Sequence, residues 1–319
     1  MPIIVTPEAL NTSATKYRKE LLFMAILGIG ETLKHMTLRT GIRYEEVVGE
    51  LSGAAELEPY KGTVPVEDDI TIKGRTIATY LGQCVKTADP NVLVSSIYGS
   101  NITSGKAIEQ AEIVKSIIAL IMARISKGLN KGIFNAVRNA AGTTTDTLFN
   151  GFDTINEADI LSNALSVANK NYMILSEATT ALNAVDTLKS IYFGASDELQ
   201  AEKSKLLIPA SIYNFYNEDY KLTTGAIPYN TEFQKTFLEG SSNRCELVPL
   251  IGKAGSDKIQ LTTKSNLLVG VNLMGDYEKI EVRRGDNPFK LQFISTMFFG
   301  TQFETISPEL LMVAKTIIT

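Results

Sequence analysis

The residue types most often used in catalysis are scarce in this sequence. Its 319 residues include one histidine, His35, and two cysteines, Cys84 and Cys245. These three residues cannot supply the ligand set of a structural zinc site, and any Ser-His-Asp arrangement has to use His35. His35 follows a helical pattern and is predicted to be a helix-end residue. The cysteines lack CxxC spacing, which favours buried or idle thiols in a reducing compartment and leaves a disulfide open.

Three short motifs resemble catalytic or nucleotide-binding loops. Residues 99–106, GSNITSGK, lie between a predicted strand and a predicted helix, as a phosphate loop requires. Five residues instead of four separate the glycines, and Ala107 stands where Ser or Thr would hold magnesium. Residues 28–30, GIG, lack the third glycine of the dinucleotide fingerprint, and Ser13 and Lys16 have no Lys-Thr-Gly partner. The residues therefore predict no catalytic, cofactor-binding or metal site.

Composition narrows the class of protein further. The net charge is −4, from 31 Lys and Arg against 35 Asp and Glu, which argues against a general nucleic-acid coat. At 44% apolar residues the chain can bury a core. The longest apolar run, Leu21 to Gly30, is shorter than the roughly 20 residues that span a bilayer. Glu8 and Glu20 precede that run and no small-residue cleavage site follows, so synthesis in the cytoplasm is predicted.

The first 75 residues predict an arm and a long hairpin. Residues 6–8, TPE, form a helix start signal. Apolar residues then recur at helical spacing over residues 10–28, which fits either an arm-like helix with one exposed apolar face or an ordinary core helix. Residues 41–75 contain short β-like segments, with eight acidic against four basic residues. Because an isolated two-stranded hairpin is marginal in water, this hairpin is expected to rest on another surface, such as a second subunit.

A long helix is predicted over residues 104–129. Apolar residues keep the 3,4 spacing through this segment, and its 26 residues give roughly 39 Å, more than twice the usual helix length. Residues 101–140 hold six basic against two acidic residues, a local charge of +4. The helix region and the hairpin, which carries −4, are therefore complementary in sign.

The remainder of the chain alternates between helix-like and strand-like segments. Residues 159–275 predict a compact α+β unit, with an amphipathic helix near 185–191 and buried strands at 206–209 and 266–271. Residues 289–303 alternate with period two, which predicts a strand, or a bent strand pair, of about 50 Å. A helix and a strand of such length indicate an elongated element, which is unusual in a compact soluble enzyme.

This order of elements resembles that of tailed-bacteriophage major capsid proteins with the Hong Kong 97 fold. The best local resemblances are the segment after the long helix, the helix opening the central domain, two core strands and the return into the peripheral domain. The segment after the long helix lies at 148–152, and the helix that opens the central domain runs from Asp186 to Tyr192. The two core strands lie at 206–209 and at Val248 and Pro249. The return into the peripheral domain comprises Glu281 to Arg284 and Phe289 to Glu309. The resemblance spans most of the chain as a pattern of elements and contains no invariant motif.

The resemblance implies an α+β fold with four parts. They are an N-terminal arm (1–40), an extended hairpin loop (41–75), a peripheral domain with the spine helix and long strands (76–158 and 276–319) and a central axial domain (159–275). The implied function is that of a major capsid protein of a tailed bacteriophage or prophage, in the virion. Its hexamers and pentamers would form an icosahedral shell around packaged double-stranded DNA.

The resemblance also implies that the hairpin lies over a neighbouring subunit's peripheral domain. The opposite charges of the hairpin and the helix fit such a contact and would guide its register. The predicted inter-subunit contact residues are charged and come from both elements: Glu56, Glu58, Lys61 and Glu67 from the hairpin, and Lys115, Arg124 and Lys127 from the helix.

The expected partners are further copies of the chain, together with a portal and a decoration protein. DNA is expected to make only weak, non-specific contact, and no membrane partner is expected. Since the arm begins within ten residues of Met1, a separate scaffold protein, or none, is expected. Some relatives join subunits through Lys-Asn isopeptide bonds; Lys61 and Lys73 lie in the hairpin, but neither has an assigned Asn, so no cross-link is predicted.

Three alternatives stay open at this point. A bacterial encapsulin nanocompartment shares the fold and encloses a cargo enzyme. An enzyme that binds a nucleotide through residues 99–106 is the second, and stabilisation by nucleotide would be its simplest sign. A phage tail or baseplate component is the third, and it would assemble into tubes or discs.

Overall fold

A computed structural model describes residues 29–52, 71–89, 110–224, 236–272, 280–284 and 290–317. The chain has a mixed α+β fold that divides into two compact units of three segments each. Unit 1 comprises Met1–Arg43, Thr79–Thr154 and Val269–Gly300, and unit 2 comprises Tyr44–Ala78, Ile155–Leu268 and Thr301–Thr319.

The elements follow one another along the chain as short helices and strands around one long helix and one long strand. In order they are α1 (Gly30–Leu33), β1 (Thr37–Thr40), β2 (Glu45–Ser52), β3 (Thr71–Ala78), β4 (Tyr80–Ala88), α2 (Gln110–Asn135), α3 (Phe152–Leu161), β5 (Tyr172–Ile174), α4 (Ala184–Phe193), α5 (Asp197–Ala201), β6 (Ser204–Pro209), α6 (Ala210–Thr224), β7 (Cys245–Leu250), β8 (Lys258–Thr262), β9 (Leu267–Val271), β10 (Ile280–Arg284), β11 (Leu291–Phe303) and β12 (Leu311–Lys315). Single 3-10 turns lie at Thr145–Thr147 and Ile251–Lys253.

The sheet of unit 1 is built around β11. This strand pairs antiparallel with β4 and with β10, and the sheet continues through β9 to β1. Every odd-numbered residue from Leu291 to Phe303 is buried, so the predicted alternation is confirmed over these 13 residues. Phe289, the first residue of the predicted strand, lies outside the described residues. One continuous strand forms here, and the bent strand pair is wrong.

The long helix ends later than predicted. Residues 104–109 lie outside the described part of the chain, and α2 continues to Asn135, whereas the predicted end was residue 129. Gly128 and Gly132 lie inside the helix and do not end it. Gly128 lies close to the chain that folds back on the helix, because a Cβ there would lie 2.9 Å from Oγ1 of Thr145.

The buried face of α2 also differs from the predicted one by one residue. Ile121 and Ile125, which continue the predicted apolar stripe, are only partly buried. The buried positions are instead spaced by four, three and four residues, at Met122, Ser126, Leu129 and Ile133. A residue as small and polar as Ser126 gives no hydrophobic signal, so the sequence pattern points to the neighbouring stripe.

The chain after α2 closes tightly against the end of the helix. Both the backbone N–H of Gly151 and Oγ1 of Thr154 donate to the carbonyl oxygen of Ala136, at 2.8 and 2.7 Å. The rings of Phe134 and Phe152 have their centroids 5.8 Å apart. A Cβ on Gly151 would lie only 2.3 Å from the carbonyl oxygen of Phe134, so the close approach requires glycine.

Unit 2 contains a five-stranded sheet in the order β5-β12-β8-β6-β7. Buried side chains of β6, β7 and β8 pack with α4 and α6 into one core cluster, whose members include Leu188, Leu206, Tyr216 and Leu261. The predicted helix near 185–191 is confirmed as α4, and the predicted strands at 206–209 and 266–271 are confirmed as β6 and β9.

The last strand belongs to unit 2, although the sequence-based division assigns residues 276–319 to a peripheral domain. β12 pairs parallel with β5 and antiparallel with β8, which makes it an interior strand of the sheet. Its residues Leu311 to Ala314 are at most 2% exposed, as an interior strand requires. β12 is thus part of the sheet that contains β5 to β8, and the division into peripheral and axial domains stays a prediction.

An ion cluster joins α3, β8 and β12 in unit 2. Nζ of Lys258 lies 2.8 Å from both Asp257 and Glu157, and Nζ of Lys315 lies 3.7 and 4.0 Å from the same two carboxylates. Burial acts to raise the pKa of Asp257, but the hydrogen bond and charge of Lys258 outweigh it and hold that pKa below its ordinary value. Burial acts to lower the pKa of Lys258, and the two carboxylates outweigh it and raise that pKa.

We expect Gly151→Ala to lower the free energy of unfolding by about 2 to 3 kcal/mol, because the new methyl group meets backbone that cannot move aside. Urea denaturation of the purified chain measures this. Gly30→Ala is the matched control, since a Cβ there meets nothing within 4 Å. That control should change stability little, or raise it by up to about 1 kcal/mol. Equal effects of both variants would contradict the packing at Gly151.

The ion cluster predicts a specific pH dependence of stability. Because the pKa of Asp257 is lowered on folding, its contribution is present above its ordinary pKa and is lost as the pH falls through the folded value. Lys258→Met removes the ammonium that lowers this pKa. The stability difference between the native chain and Lys258→Met should therefore shrink as the pH is lowered from neutral into the acid range. Denaturation at a series of pH values measures this, and a difference that stays constant would contradict it.

Candidate inter-subunit surfaces

The hairpin formed by β2 and β3 is fixed to α3 and β11 by one arginine at its base. Nη1 and Nη2 of Arg75 donate to Oδ1 and Oδ2 of Asp159 at 3.3 and 2.8 Å. Nε and Nη2 also donate to Oε1 of Gln302, at 3.3 and 3.1 Å. Gln302 in turn donates from Nε2 to the carbonyl oxygen of Thr76 at 2.9 Å. A two-point contact between a guanidinium and a carboxylate fixes the orientation of the two groups as well as their distance, so it sets the direction in which the hairpin extends.

This anchor is largely removed from water. The side chains of Arg75 and Asp159 are 18% and 16% exposed. The anchor was not among the residues predicted from the sequence, because its partners lie 84 and 227 positions away along the chain. An arginine near the end of the predicted hairpin, at residue 75, was the single signal available, and it does not identify a partner.

The described part of the hairpin buries part of one side and exposes the other. The two strands pair antiparallel, with Val48 opposite Arg75, and Val48 is 6% exposed. Its neighbour Val47 is 71% exposed, and Glu45 and Glu46 are exposed as well. The hairpin therefore presents carboxylates and an apolar side chain to solvent in the single chain. An antiparallel strand pair therefore lies within and just beyond the predicted hairpin region, residues 41–75, and residues 53–70 lie outside the described residues.

The described part of α2 carries an exposed basic face. Between residues 119 and 135 the charged residues are Arg124, Lys127 and Lys131, with no acidic residue among them. All three are exposed, and their spacing of three and four residues places them on one side of the helix. Lys131 lies 3.2 Å from Asp146 in an exposed ion pair, whereas Arg124 and Lys127 have no ion-pair partner within the described part of the chain.

The predicted contact residues fall into two groups. Glu56, Glu58, Lys61 and Glu67 lie outside the described residues. Lys115 lies on α2, before the part of the helix whose side chains are described, and Arg124 and Lys127 are exposed. Pairing between the two groups concerns neighbouring chains and stays a prediction. Lys131 extends the basic face and was missed, although its spacing from Lys127 is visible in the sequence.

The described residues contain few groups with reactive character. Residues 29–52, 71–89, 110–224, 236–272, 280–284 and 290–317 include no group of His, Cys, Asp and Glu that could hold a metal ion, and within these ranges no helix is long and apolar enough to cross a membrane. Both cysteines are free, and burial raises the pKa of the Cys245 thiol to about 12. His35 follows the end of α1, as predicted. The segments 28–30 and 99–106, apart from Ile29 and Gly30, lie outside the described residues.

No protein-family model and no curated protein matches this chain. Comparison with solved structures finds similar folds. The chain is similar to a chain of the satellite phage P4 procapsid, a structure that includes the size determination protein, with a TM-score of 0.59 and 9% identity over 93% of this chain and 90% of the other. It is also similar to a chain of the cyanophage A-1(L) capsid asymmetric unit, with a TM-score of 0.54 and 15% identity over 93% of both chains.

A third similar structure is the capsid of a native GTA particle. Its TM-score is 0.54, with 11% identity over 91% of each chain. All three similarities extend nearly from end to end of both chains, so they reflect a whole fold rather than a shared subdomain. The chain therefore has the Hong Kong 97-type capsid fold, and the α+β fold class that the sequence predicted is confirmed.

We expect Asp159→Ala to lower the free energy of unfolding by about 2 to 3 kcal/mol, since it leaves a mostly buried guanidinium without its carboxylate. Hydrogen exchange should also speed up at the backbone amides of β2 and β3. Lys131→Ala is the matched control, because it breaks an ion pair whose side chains are 73% and 44% exposed. That loss should change stability by less than about 0.5 kcal/mol. Unchanged exchange in the hairpin of Asp159→Ala would contradict the anchor.

Proposed function

We propose that this chain is the major capsid protein of a tailed bacteriophage or prophage. Copies of it assemble into hexamers and pentamers, and these form an icosahedral shell that encloses double-stranded DNA. The observation that carries this proposal is the end-to-end similarity of fold to subunits of a phage procapsid, a cyanophage capsid and a GTA capsid. The function of such a chain is association with its own copies, which requires complementary surfaces rather than a reactive centre.

The elements fit the roles that such a subunit needs. Residues 1–40 form the arm and residues 41–75 the extended loop. The long helix α2 and the sheet around β11 form the peripheral domain. Residues 159–275 other than β9, together with β12, form the axial domain around the five-stranded sheet of unit 2. The Arg75–Asp159 anchor supports this assignment, because a loop that must reach a neighbouring subunit needs a fixed direction at its base.

The hairpin contact is electrostatic in this proposal. The acidic hairpin of one subunit lies on the basic face of α2 in its neighbour, with Glu56, Glu58 and Glu67 opposite Arg124, Lys127 and Lys131. Lys61 and Lys115 lie at the edge of the same contact. Exposed pairs of this kind contribute little energy each, so their main effect is on register and on the rate of association.

The other partners follow from the proposed shell. A portal, a decoration protein and a separate scaffold protein are the proposed additional partners, and packaged DNA makes weak, non-specific contact. Shells purified from cells separate this proposal from an encapsulin. Nuclease-protected DNA inside the shells would support the phage capsid, whereas a protein cargo without DNA would support the nanocompartment.

Charge reversal tests the hairpin contact. The triple variant Glu56→Lys, Glu58→Lys, Glu67→Lys should raise the concentration needed for assembly about tenfold at low salt. This value follows because three exposed ion pairs contribute about 0.5 kcal/mol each. The effect should shrink at high salt, since salt screens exposed charges. Reversal of Arg124, Lys127 and Lys131 to Glu should have the same effect. Sedimentation velocity over a range of protein and salt concentrations measures both.

Combining the two triple variants provides the decisive control. If the two charged surfaces meet, the doubly reversed chain regains assembly, because its charges are again opposite in sign. Glu177→Lys reverses a single exposed carboxylate outside both surfaces and should leave assembly unchanged. Assembly that is lost in both triple variants and is not regained in the combination would contradict the pairing.

A further inference from the structure

One peptide bond of the chain joins two residue types that react with each other without any catalyst. Asn150 is followed by Gly151, and this is the single Asn-Gly pair in the sequence. In such a pair the backbone nitrogen of the glycine attacks the side-chain amide carbon of the asparagine. Because glycine has no Cβ, an unfolded backbone rotates easily into the geometry that brings these two atoms together. The pair is therefore a candidate site of covalent modification.

The reaction needs only water as a second reactant. The nitrogen of Gly151 loses its proton and forms a bond to Cγ of Asn150. The bond from Cγ to Nδ2 breaks, so ammonia leaves with that proton and a succinimide ring remains. Water then adds to one of the two ring carbonyls. Opening at one carbonyl gives aspartate, and opening at the other gives isoaspartate, whose main chain runs through the former side chain and gains one methylene group.

The fold holds the attacking nitrogen in a hydrogen bond. The backbone N–H of Gly151 donates to the carbonyl oxygen of Ala136 at 2.8 Å. The same oxygen accepts from Oγ1 of Thr154 at 2.7 Å, which fixes its position. Gly151 is buried, so its N–H has no water to turn to when this bond breaks. The nitrogen must lose the bond to Ala136 before it can attack, and that loss is costly for a buried donor.

The fold also holds the carbon that would be attacked. Oδ1 of Asn150 accepts from the backbone N–H of Arg138 at 2.8 Å, although Asn150 itself is exposed. The backbone of Gly151 lies so close to α2 that a Cβ on it would be 2.3 Å from the carbonyl oxygen of Phe134. Attack requires an approach to about 3 to 3.5 Å along the right direction. Packed backbone on one side and a fixed amide on the other prevent that rotation.

Packing at this point calls for both residues of the reactive pair. Glycine is required at 151 because no side chain fits against Phe134. At position 150 a short side chain with an acceptor oxygen satisfies the N–H of Arg138. The chain therefore carries a chemically labile bond at the place where its own fold suppresses the reaction.

We propose that Asn150 is a deamidation site gated by conformation. The site is closed while residues 148–152 pack against the end of α2, and it reacts when this segment opens. Aspartate keeps the length of the main chain and an acceptor for Arg138, so the segment closes again. Isoaspartate lengthens the main chain between the bonds to Arg138 and Ala136, so the segment does not close. Time spent unfolded is then recorded irreversibly. This inference goes beyond the proposed function and does not depend on it.

The rate of deamidation in the full-length chain tests the gate. One sample is kept in mildly alkaline buffer and another in the same buffer with guanidinium chloride. Peptide mass spectrometry after digestion in acid measures deamidation at residue 150. In denaturant, Asn150 should react before Asn163 and Asn169, since a side chain follows each of those two. In the native chain it should react at least about a hundredfold more slowly, because the bond reacts only in the fraction of molecules whose segment is open.

Two results of this experiment would overturn the proposal. Equal rates in the two samples would show that the fold does not protect the bond, and no preference for Asn150 in denaturant would show that the pair is not labile. Thr154→Val tests the hydrogen bond itself. It removes the second donor to Ala136, so it should speed the native reaction about fivefold and leave the denatured rate unchanged. An unchanged native rate would contradict this part of the gate.

Refolding tests the irreversible step. The chain aged in denaturant is refolded, and gel filtration separates folded from misfolded chains. Isoaspartate at residue 150 should be confined to the misfolded fraction, whereas aspartate should occur in both. Asn150→Asp is the matched control, because it has the charge of the product without the longer main chain, and it should refold like the native sequence. Isoaspartate at equal abundance in both fractions would overturn the claim that it prevents closure.

Discussion

The hairpin depends on the contact between Arg75 and Asp159 at its base. Two eight-residue strands have too little apolar surface to hold a direction by themselves. The guanidinium supplies that direction through Asp159 and Gln302, which lie on α3 and near the end of β11. Because the pair is mostly buried, its geometry is maintained within one subunit before any neighbour arrives. In the proposed shell, this preorganisation is what allows weak surface charges to select one register.

Much of the fold could be predicted because its longest elements have clear periodicity. The alternation along β11 identifies the strand and its buried face, and the apolar run of α4 identifies a helix of the right length. The errors arise where packing overrides local pattern. Gly128 looks like a helix breaker, but it lies inside α2 in close contact with Thr145, and Ser126 is buried on α2 without any hydrophobic signal. β12 could not be placed, because its partners β5 and β8 are remote in sequence.

The candidate surfaces were predictable to different degrees. Charge composition alone identified the basic face of α2, since clustered Lys and Arg at helical spacing need no tertiary information. The anchor of the hairpin could not be predicted, because it joins residues separated by 84 and 227 positions.

The central claim is that this chain builds a closed shell from its own copies. Electron microscopy of particles from cells that express the chain, alone and with its neighbouring genes, tests it most directly. The account predicts icosahedral shells or capsomer rings, with hexamers and pentamers resolved in averaged images. A monodisperse monomer under every condition, or tubes and discs without closed shells, would contradict it.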